Sequence, residues 1–575
     1  MRNRRLHTVL ALTATAALLA SCGTSGNDAS PSSGAASSSG AASSAAQASF
    51  TVPGVDDLPA ANPDQVHLLA FNDFHGNLQP PTGSTGKIAG QDAGGAAYFA
   101  TALQRLKKQY PNNLTVAAGD LVSASPLVSA LFRDEPTIKF LNSVGLQASS
   151  VGNHEFDHGT IELERLQKGG CAPQGCEPGE PFTGTAYQYL AANVTNEQGQ
   201  LPPGTVPWKM FEVGGKKIAV IGTVTPETAT IVAPEGVRGY SFGDEADAIN
   251  KDVPEIKAAG AQAIVATMHN GGSQKGSGEA DPNACKDVSA PVPDLAKRID
   301  PAVTSLVTGH SHQAYTCTID GRTITQAASY GRLITDITLD FSGPTAKATA
   351  VNRVVRRTLP ADAATQRLVE FYEKEAKPRA DRVIGTIPAD LKREAFPGGD
   401  SPLGDVIADG MLFTTRPPNE AAGQIALMNP GGVRADLKGG DVTYGAAYTV
   451  QPFGNQVVTV SLTGQQIIDL LEQQWQNPAK TTILAPSGIT YSYDPNGAPN
   501  RKVVRDSVKV GDQPLNTVAK YRVTTNNFLA AGGDGFSVFT QSTDLTVGGI
   551  DLDALEKYLQ ATPDLQVPTS RITKL

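Results

Sequence analysis

Five of the eight histidines in this chain fall within a series of short strings, each of which carries histidine, aspartate or asparagine. Carboxylate and amide oxygens and imidazole nitrogens are ligands by which proteins hold divalent cations. Histidines scattered by chance would not gather in this way, so the sequence predicts a hydrolase with two metal ions in one site. In chain order the strings are Asp73-Phe74-His75, Gly119-Asp120, Gly152-Asn153-His154-Glu155, Met268-His269 and Gly309-His310-Ser311-His312.

Each string is weak evidence alone, because Asp-x-His is common and Gly-Asp after a strand is usually a turn. Together the strings supply seven candidate ligands, enough for two ions with positions left for water and substrate. The carboxylate of Asp120 has two oxygens and is suited to bridging the ions. Mixed oxygen and nitrogen ligands without thiolate favour Zn²⁺ or Mn²⁺. The seven residues are Asp73, His75, Asp120, Asn153, His269, His310 and His312.

The candidate ligands follow apolar runs that predict buried strands. Amphipathic stretches at 96–109 and 245–259 predict helices, so the pattern indicates an α/β domain with its sheet inside. Loops beyond the carboxyl ends of strands are where α/β proteins place ligands, and most of the strings fall there. The runs lie at 66–71, 114–118, 218–222, 263–267 and 305–308.

The N-terminus has the organisation of an export signal. A basic start precedes an apolar run at 9–20 that is too short to span a bilayer permanently. The run ends in Leu19-Ala20-Ser21-Cys22, which resembles the lipobox of bacterial lipoproteins, where the cysteine is lipidated. An ordinary secretory signal with a chance cysteine is the alternative. We expect an extracytoplasmic protein that is anchored to the cell membrane through Cys22, with a flexible Ser/Ala/Gly-rich tether following it.

Charge and cysteine content narrow the class of protein further. The formal net charge is −9 with no basic tract beyond the signal, which argues against binding to a nucleic-acid polymer. Cys171, Cys176, Cys285 and Cys317 form an even set that suggests two disulfides in an exported protein. Cys171 and Cys176 flank a short loop and could pair, which leaves Cys285 with Cys317. Zinc ligation by all four is the alternative, although their spacing does not resemble a Cys₄ site.

The order of the ligand strings resembles the calcineurin-like metallophosphatases, and with the second half of the chain it resembles the 5′-nucleotidase family more closely. The resemblance extends from Val66 to the C-terminus. It implies a four-layer α/β/β/α metallophosphatase domain followed by a smaller α–β substrate-binding domain. Besides the ligand strings, it is carried by Asn72-Asp73-Phe74-His75-Gly76, Phe156-Asp157, Ala192-Asn193-Val194, Thr225-Pro226-Glu227-Thr228 and His269-Asn270-Gly271.

These features divide the chain into five predicted segments, because the residues after the tether are too many for one typical core. The segments are a lipoprotein signal peptide at 1–22, the tether at 23–62, the metallophosphatase domain at 63–358, a connector helix at 359–383 and the C-terminal domain at 384–575.

The resemblance also implies roles for individual residues. One metal would be held by Asp73, His75 and His312, the other by Asn153, His269 and His310, and Asp120 would bridge them. His154 would not be a ligand. Instead it would form a pair with Asp157 that stabilises the charge developing during phosphoryl transfer. The alternative is that Asp157 only caps a turn.

The second domain carries strings similar to the nucleotide-binding segments of the family. By this resemblance Phe453 and Phe528 sandwich the base, Asp534 contacts the ribose, and Asn429 and Arg434 contact the base and phosphate regions. Core packing is the alternative for both phenylalanines. The strings are Asn429-Pro430-Gly431-Gly432-Val433-Arg434, Gln451-Pro452-Phe453-Gly454-Asn455, Asn527-Phe528-Leu529-Ala530 and Gly532-Gly533-Asp534-Gly535-Phe536.

One departure from the family pattern concerns the phosphate grip. Relatives carry a further arginine before the segment that matches Pro402-Leu403-Gly404, whereas 396–401 contains none. Arg393 is nearby, but its register is uncertain, so a grip by two arginines is in doubt.

The sequence thus predicts an exported metallophosphoesterase that converts 5′-nucleotides into nucleosides and phosphate. A UDP-sugar hydrolase, a 2′,3′-cyclic nucleotide phosphodiesterase or another member of the superfamily on the same scaffold stays open. An alternative of a different class is a non-enzymatic nucleotide-binding lipoprotein. No obligate protein partner is inferred.

Overall fold

The computed structural model describes residues 52–575 apart from 174, 233, 275–279, 420 and 478–480. The predicted signal peptide, Cys22 and most of the predicted tether lie outside the described residues. Where the range 23–62 is described, Val52 and Val55 are buried. The carbonyl of Val52 accepts a hydrogen bond from Arg356 Nη2 at 2.5 Å, so this stretch packs against the folded body.

Two six-stranded sheets pack face to face in the first half of the chain. Apolar side chains from both, among them Leu68, Val116, Val220 and Val265, form the core between them. Side chains alternate across a strand, so the other face of each sheet remains available to helices. The order of the first sheet is Lys347–Val354, Leu333–Asp340, Gln65–Phe71, Asn113–Ala118, Ala148–Ser150 and Gln188–Leu190; that of the second is Ala314–Ile319, Arg322–Ala327, Val303–Thr308, Ala263–His269, Lys216–Val224 and Trp208–Val213.

Helices cover the two outer faces and complete four layers. Phe99 and Leu103 of the helix Ala96–Gln109 pack on the outside of the first sheet. Ile249 and Val253 of the helix Glu245–Ala258 pack on the outside of the second. The α/β/β/α order confirms the predicted fold of this half. The helices are Ala96–Gln109, Leu127–Ala130, Glu135–Ser143, Gly159–Lys168, Thr228–Ile231, Pro234–Val237, Glu245–Ala258 and Val292–Arg298.

A single long helix, Ala363–Ala380, joins the halves and lies within the predicted connector range. Its N-cap is Asp362, whose carboxylate accepts a hydrogen bond from the Thr365 backbone N–H at 2.9 Å. It packs against Ala96–Gln109 of the first half and Tyr444–Val450 of the second.

The second half is built on a five-stranded sheet with helices on both faces. Ala426 and Met428 pack toward the helix Pro402–Thr415, while Ile425 and Leu427 pack toward Gly464–Glu472. The sheet order is Ala485–Ser487, Ile425–Met428, Lys520–Asn526, Gln456–Thr463 and Thr543–Ile550. A smaller sheet contains Gln513–Pro514, Lys509–Val510, Ile489–Tyr493 and Ile572–Lys574; Val383–Ile387 pairs with Gly440–Thr443, and the other helices are Asn527–Ala530 and Asp551–Ala561.

Both predicted disulfides form. Cys171 bonds Cys176 and Cys285 bonds Cys317, so the zinc alternative for these cysteines is wrong. None of the helices between 52 and 575, in the part that the structure describes, combines the length and apolar character needed to cross a bilayer.

Candidate metal centre and substrate cavity

The seven candidate ligands lie in loops and at a strand end along one edge of the paired sheets. The strand Gln65–Phe71 runs parallel to Asn113–Ala118, and that strand runs parallel to Ala148–Ser150. Ala263–His269 and Val303–Thr308 are likewise parallel in the second sheet. Carboxyl ends of parallel strands meet at one edge, so the loops that follow them converge. Asp73, Asp120 and Asn153 follow the first three strands, His269 ends the fourth, and His310 follows the fifth.

Five of these seven residues adopt a left-handed backbone. Such a φ is uncommon outside glycine, although aspartate and histidine adopt it more readily than most residues. Each instance costs on the order of 1–3 kcal/mol and persists only where the surroundings enforce it. The bends turn consecutive side chains toward a common point. The φ angles are 49° at Asp73, 46° at His75, 51° at Asp120, 68° at His310 and 55° at His312.

Asp73, His75 and His312 form one compact group of donors. His75 Nε2 lies 3.2 Å from His312 Nε2. His312 Nε2 lies 3.2 Å from Asp73 Oδ1. Ligands at ~2.0–2.1 Å from a tetrahedral ion are about 3.4 Å from one another, so this spacing fits donors around one cation.

Asp120, Asn153, His269 and His310 form a second group. His269 Nε2 lies 3.0 Å from Asp120 Oδ2 and 3.1 Å from Asn153 Oδ1. His310 Nδ1 lies 3.0 Å from the same Asn153 oxygen. Asp120 Oδ2 is also 3.6 Å from His75 Nε2 of the first group. Asp120 therefore stands between the two groups, as a shared ligand must.

Hydrogen bonds from behind orient the imidazoles. His75 Nδ1 donates to the Ser123 carbonyl at 2.9 Å, and His269 Nδ1 donates to the Ala118 carbonyl at 2.7 Å. Each ring therefore presents Nε2 to the centre, the arrangement by which proteins fix metal-binding histidines. Asp73 is held by the side chain of Asn72 at 2.6 Å and the His310 backbone N–H at 3.0 Å.

The charges of the centre favour cations. Burial opposes ionisation of Asp120, yet His269 and His154 hold the pKa of its carboxyl well below its usual range. Burial would lower the pKa of His269, but Asp120 outweighs it and raises that pKa to about 10. Burial lowers the pKa of His75 and His312, which leaves both rings neutral and able to ligate. This donor set fits divalent ions, and an ion bound at the second group would displace the proton that His269 carries beside Asp120.

His154 and Asp157 form the predicted pair beside this centre. His154 Nδ1 lies 2.7 Å from Asp157 Oδ2. Burial lowers the pKa of His154, but Asp157 and Asp120 outweigh it and raise that pKa above its ordinary value. His75, Asp120 and His154 also present donors within 4.8 Å of one another. Geometry thus permits either charge stabilisation or ligation by His154.

Glu155 has a role that the sequence analysis missed. Its buried carboxylate accepts hydrogen bonds from the backbone N–H groups of Asp120 at 2.9 Å and Leu121 at 2.8 Å, and from that of Gly152. It therefore holds the loop that carries Asp120 against the loop that carries Asn153. Its place inside a ligand string was the available signal.

One cavity of about 1050 Å³ joins the metal centre to the second half of the chain. Asp73, His75 and His269 lie behind its wall and are fully buried. All five predicted substrate residues line it, so the structure brings both predicted sets together. The wall includes Asp120, Asn153, His154, Asp157, His310 and His312 from the first half, and Asn429, Arg434, Phe453, Phe528 and Asp534 from the second.

The two phenylalanines contribute to the wall differently. The Phe453 ring stacks on His154 with centroids 5.7 Å apart, and the guanidinium of Arg434 lies 5.8 Å from the Phe453 centroid. Phe528 is half-buried and also packs against the core of the second half. A Cβ on Gly533 would lie 2.5 Å from the Phe528 ring, so only glycine allows this approach. Phe528 therefore packs against the core of the second half and also lines the cavity.

Polar groups of the second half are linked to one another. Asn429 Nδ2 donates to Asp534 Oδ2 at 2.8 Å, and Asn526 Nδ2 donates to Asn429 Oδ1 at 3.0 Å. Arg393 Nη1 donates to the Arg434 carbonyl at 2.7 Å, and Arg393 also lines the cavity. A second arginine therefore does lie on the wall. The loop at 394–401 separates it from Pro402, which obscured its register.

Comparison with known proteins gives a consistent picture. The calcineurin-like phosphoesterase family model matches residues 66–314, and the 5′-nucleotidase, C-terminal domain model matches residues 383–541. Endonuclease YhcR of Bacillus subtilis is 31% identical over 507 residues, which are 86% of this chain but 40% of that protein. The chain thus spans less than half of that relative.

Two further proteins match over most of their own length. Cell wall protein Lmo0130 of Listeria monocytogenes is 31% identical over 539 residues, 87% of this chain and 68% of that protein. The crystal structure of a 5′-nucleotidase precursor from Thermus thermophilus superimposes with a TM-score of 0.74 at 28% identity, covering 89% of this chain and 99% of the other. With both domain models matched in order, the chain belongs to the 5′-nucleotidase family of metallophosphoesterases.

Proposed function

We propose that this protein is an extracytoplasmic, lipid-anchored enzyme that hydrolyses 5′-nucleotides to nucleosides and phosphate with two divalent ions. The observation that carries the proposal is that one cavity has the candidate metal-ligand groups on one wall and the nucleotide-type strings on the other. One nucleotide would then contact both walls, with its phosphate at the first wall and its base at the second.

The donor groups suggest how the ions would be held. Asp73, His75 and His312 would hold one and Asn153, His269 and His310 the other, with Asp120 shared. Zn²⁺ or Mn²⁺ suits this set of ligands. When bound, two such ions activate water for attack and polarise the phosphoryl oxygens.

Side chains of the protein would stabilise the developing charge and bind the substrate. The imidazolium of His154, held by Asp157, would meet the negative charge that develops on the equatorial oxygens. Arg434 lies over the ring of Phe453 and adds positive charge near His154. Phe453 and Phe528 would take the base between them, and Asp534 would bind ribose hydroxyls. Since the substrate spans both halves, we expect a hinge near the connector helix.

One assay tests this activity. The chelated protein is given added Zn²⁺ or Mn²⁺ and assayed, by phosphate release and by chromatography of the other products, on 5′-mononucleotides, 2′,3′-cyclic nucleotides, nucleotide sugars and single-stranded DNA. We expect metal-dependent release of phosphate from 5′-mononucleotides. A preference for cyclic nucleotides or for DNA would replace 5′-nucleotidase by that activity. Nucleotide binding without any hydrolysis or metal content would favour the non-enzymatic lipoprotein.

The anchoring has a separate test. In a bacterial host that lipidates lipoboxes, the whole chain should partition with membranes and carry an acylated Cys22. The Cys22→Ser variant should lose both properties while its nucleotidase activity persists. Membrane association that survives Cys22→Ser would contradict the lipid anchor.

A further inference from the structure

Gln326 is a buried residue that belongs neither to the candidate metal ligands nor to the nucleotide strings. It lies near the end of the strand Arg322–Ala327 and is fully buried. A buried amide costs free energy unless its donor and acceptor atoms are hydrogen-bonded. Nε2 donates to the Gly309 carbonyl, and Oε1 accepts from the Ser311 hydroxyl at 2.9 Å and the Gln313 backbone N–H at 3.2 Å. All three of these bonds join the amide to one short loop.

The topology of the second sheet places this amide beside the loop. The loop leaves the strand Val303–Thr308 and enters the strand Ala314–Ile319. Between those two strands in the sheet lies Arg322–Ala327, which is parallel to the first and antiparallel to the second. The loop therefore crosses the carboxyl end of the strand that carries Gln326, and the bonds from Gln326 hold it there.

These bonds alternate along the loop with two of the candidate metal ligands. The residues bonded to Gln326 are the first, third and fifth of the loop, and His310 and His312 lie between them. Both histidines have a left-handed backbone, with φ angles of 68° and 55°. Such a backbone persists only where its surroundings enforce it. Hydrogen bonds on either side of each histidine supply that constraint, so Gln326 helps to determine where both imidazoles point.

The loop that follows His269 packs against the same group of contacts. The Ser311 hydroxyl also lies within hydrogen-bonding distance of the Gly272 carbonyl, at 2.9 Å. A Cβ on Gly271 would lie 2.3 Å from the Gly309 carbonyl oxygen to which the amide donates, so only glycine allows this approach. The segments that carry the three candidate histidine ligands of the second sheet are thus held together around one buried amide.

We propose that Gln326 is a positioning residue that fixes the two metal ions relative to one another. In the proposed function His312 holds one ion while His269 and His310 hold the other, so one amide orients ligands of both. The separation of two such ions determines how they engage the attacking and leaving oxygens. Loss of a hydrogen-bonding partner behind metal ligands typically lowers metal affinity or activity by about 10–100-fold. This inference rests on the proposed function, because it assumes the same two ions and ligands.

Gln326→Met tests the proposal, because methionine has a similar length but keeps none of the three hydrogen bonds. Gln474→Met is the matched control, since Gln474 is also buried and its amide bonds to backbone groups of Leu471 and Leu484 in the second half. Calorimetric titration of the chelated proteins with Mn²⁺ or Zn²⁺ should show both ions bound about 10–100-fold more weakly in Gln326→Met and unchanged in the control. Thermal unfolding without metal measures the loss of stability in both variants separately.

Ligand geometry and turnover give two further readouts. The visible absorption of the Co²⁺-loaded protein depends on ligand geometry, so it should shift in Gln326→Met and not in Gln474→Met. At saturating metal, kcat of Gln326→Met for a 5′-mononucleotide should fall about tenfold. KM should change little, because the residues that would bind the base and the ribose are unaltered.

Several outcomes would overturn the proposal. These are wild-type affinity for both ions in Gln326→Met, weakening of one ion alone, and an equal loss of affinity in Gln474→Met. If Gln326→Met does not fold, Ser311→Ala removes one of the bonds and decides the question, and unchanged affinity for both ions there overturns the proposal.

The proposed function can fail separately. A wild-type protein that binds two ions but hydrolyses no nucleotide would defeat the proposed function and leave the role of Gln326 to the metal titrations. A wild-type protein that binds neither ion would defeat both.

Discussion

The two walls of the cavity are built by different means. On the metal side, Asp73, His75 and His269 are fully buried and hydrogen-bonded from behind. On the nucleotide side, Phe453 lies in a loop and Phe528 in the short helix Asn527–Ala530, and both are only half-buried. One wall is held by backbone geometry and the other by packing of individual side chains.

The difference teaches what each wall is for. Charge stabilisation in a transition state needs groups that are oriented in advance, because reorienting them would cost the free energy that the interaction provides. Recognition of a base needs an apolar surface at the right distance, which tolerates variation. We therefore expect substitutions on the metal side to affect turnover and those on the nucleotide side to affect binding.

Asp120→Asn should have the largest effect. Asparagine also tolerates the left-handed backbone of Asp120, so the change removes charge and little else. Both ions should bind more weakly and kcat should fall at least about 10³-fold, beyond the loss of a single charge-stabilising donor. Metal analysis and steady-state kinetics measure this, with the exposed Asp57→Asn as control. Two bound metals and near wild-type turnover would rule out the shared-ligand role.

His154→Ala should come second. We expect kcat to fall about 10²-fold, the scale for one preorganised charge-stabilising group, while the metal content stays at two ions. His158→Ala, an exposed histidine four residues on, is the matched control. Loss of an ion from His154→Ala would make His154 a ligand, which the donor spacing also permits.

Phe528→Ala should have a smaller effect that depends on the substrate. One base stack contributes ~1–3 kcal/mol, so KM for a mononucleotide should rise about tenfold. Hydrolysis of a small aryl phosphate should barely change, because that substrate has no base. Phe413→Ala, an exposed phenylalanine of the second half, serves as control. Equal losses on both substrates would show that Phe528 supports the fold alone, and the contrast between the walls would fail.

Asp157→Asn should have the smallest effect, visible in the pH profile. Asp157 helps raise the pKa of His154, and the imidazolium exists below that pKa. Removing the carboxylate charge should lower the pKa, so activity should begin to fall at a lower pH on the alkaline side. The pH dependence of kcat for wild type, Asp157→Asn and the control Glu164→Gln measures this. If kcat falls at the same alkaline pH in Asp157→Asn as in wild type, Asp157 only caps a turn.

Local sequence patterns predicted much of this structure. The apolar run at 114–118 lies within the strand Asn113–Ala118, and the amphipathic stretch at 96–109 is a helix with those bounds. Periodicity reports burial directly, and the ligand strings mark strand ends. The family resemblance identified the residues that gather around the cavity.

Other features depended on contacts between distant segments. Glu155 acts on Asp120 through a hydrogen bond that spans 35 residues. Arg393 and Glu245 also line the cavity, and Glu245 is hydrogen-bonded there to Asn270, which is 25 residues away in sequence. No local pattern encodes such pairings. The domain boundaries and the roles of the individual site residues stay predictions.

The left-handed backbone at five candidate ligand positions also determines how such a centre can be lost by mutation. Glycine relaxes the backbone there and asparagine is tolerated, whereas most other residues add strain. The mutations that do not destabilise the fold are therefore those that remove or weaken a metal-ligand side chain and leave the loops in place. We expect a descendant lineage that lost hydrolysis to keep the cleft and its aromatic walls. It would become a nucleotide receptor without passing through an unfolded ancestor.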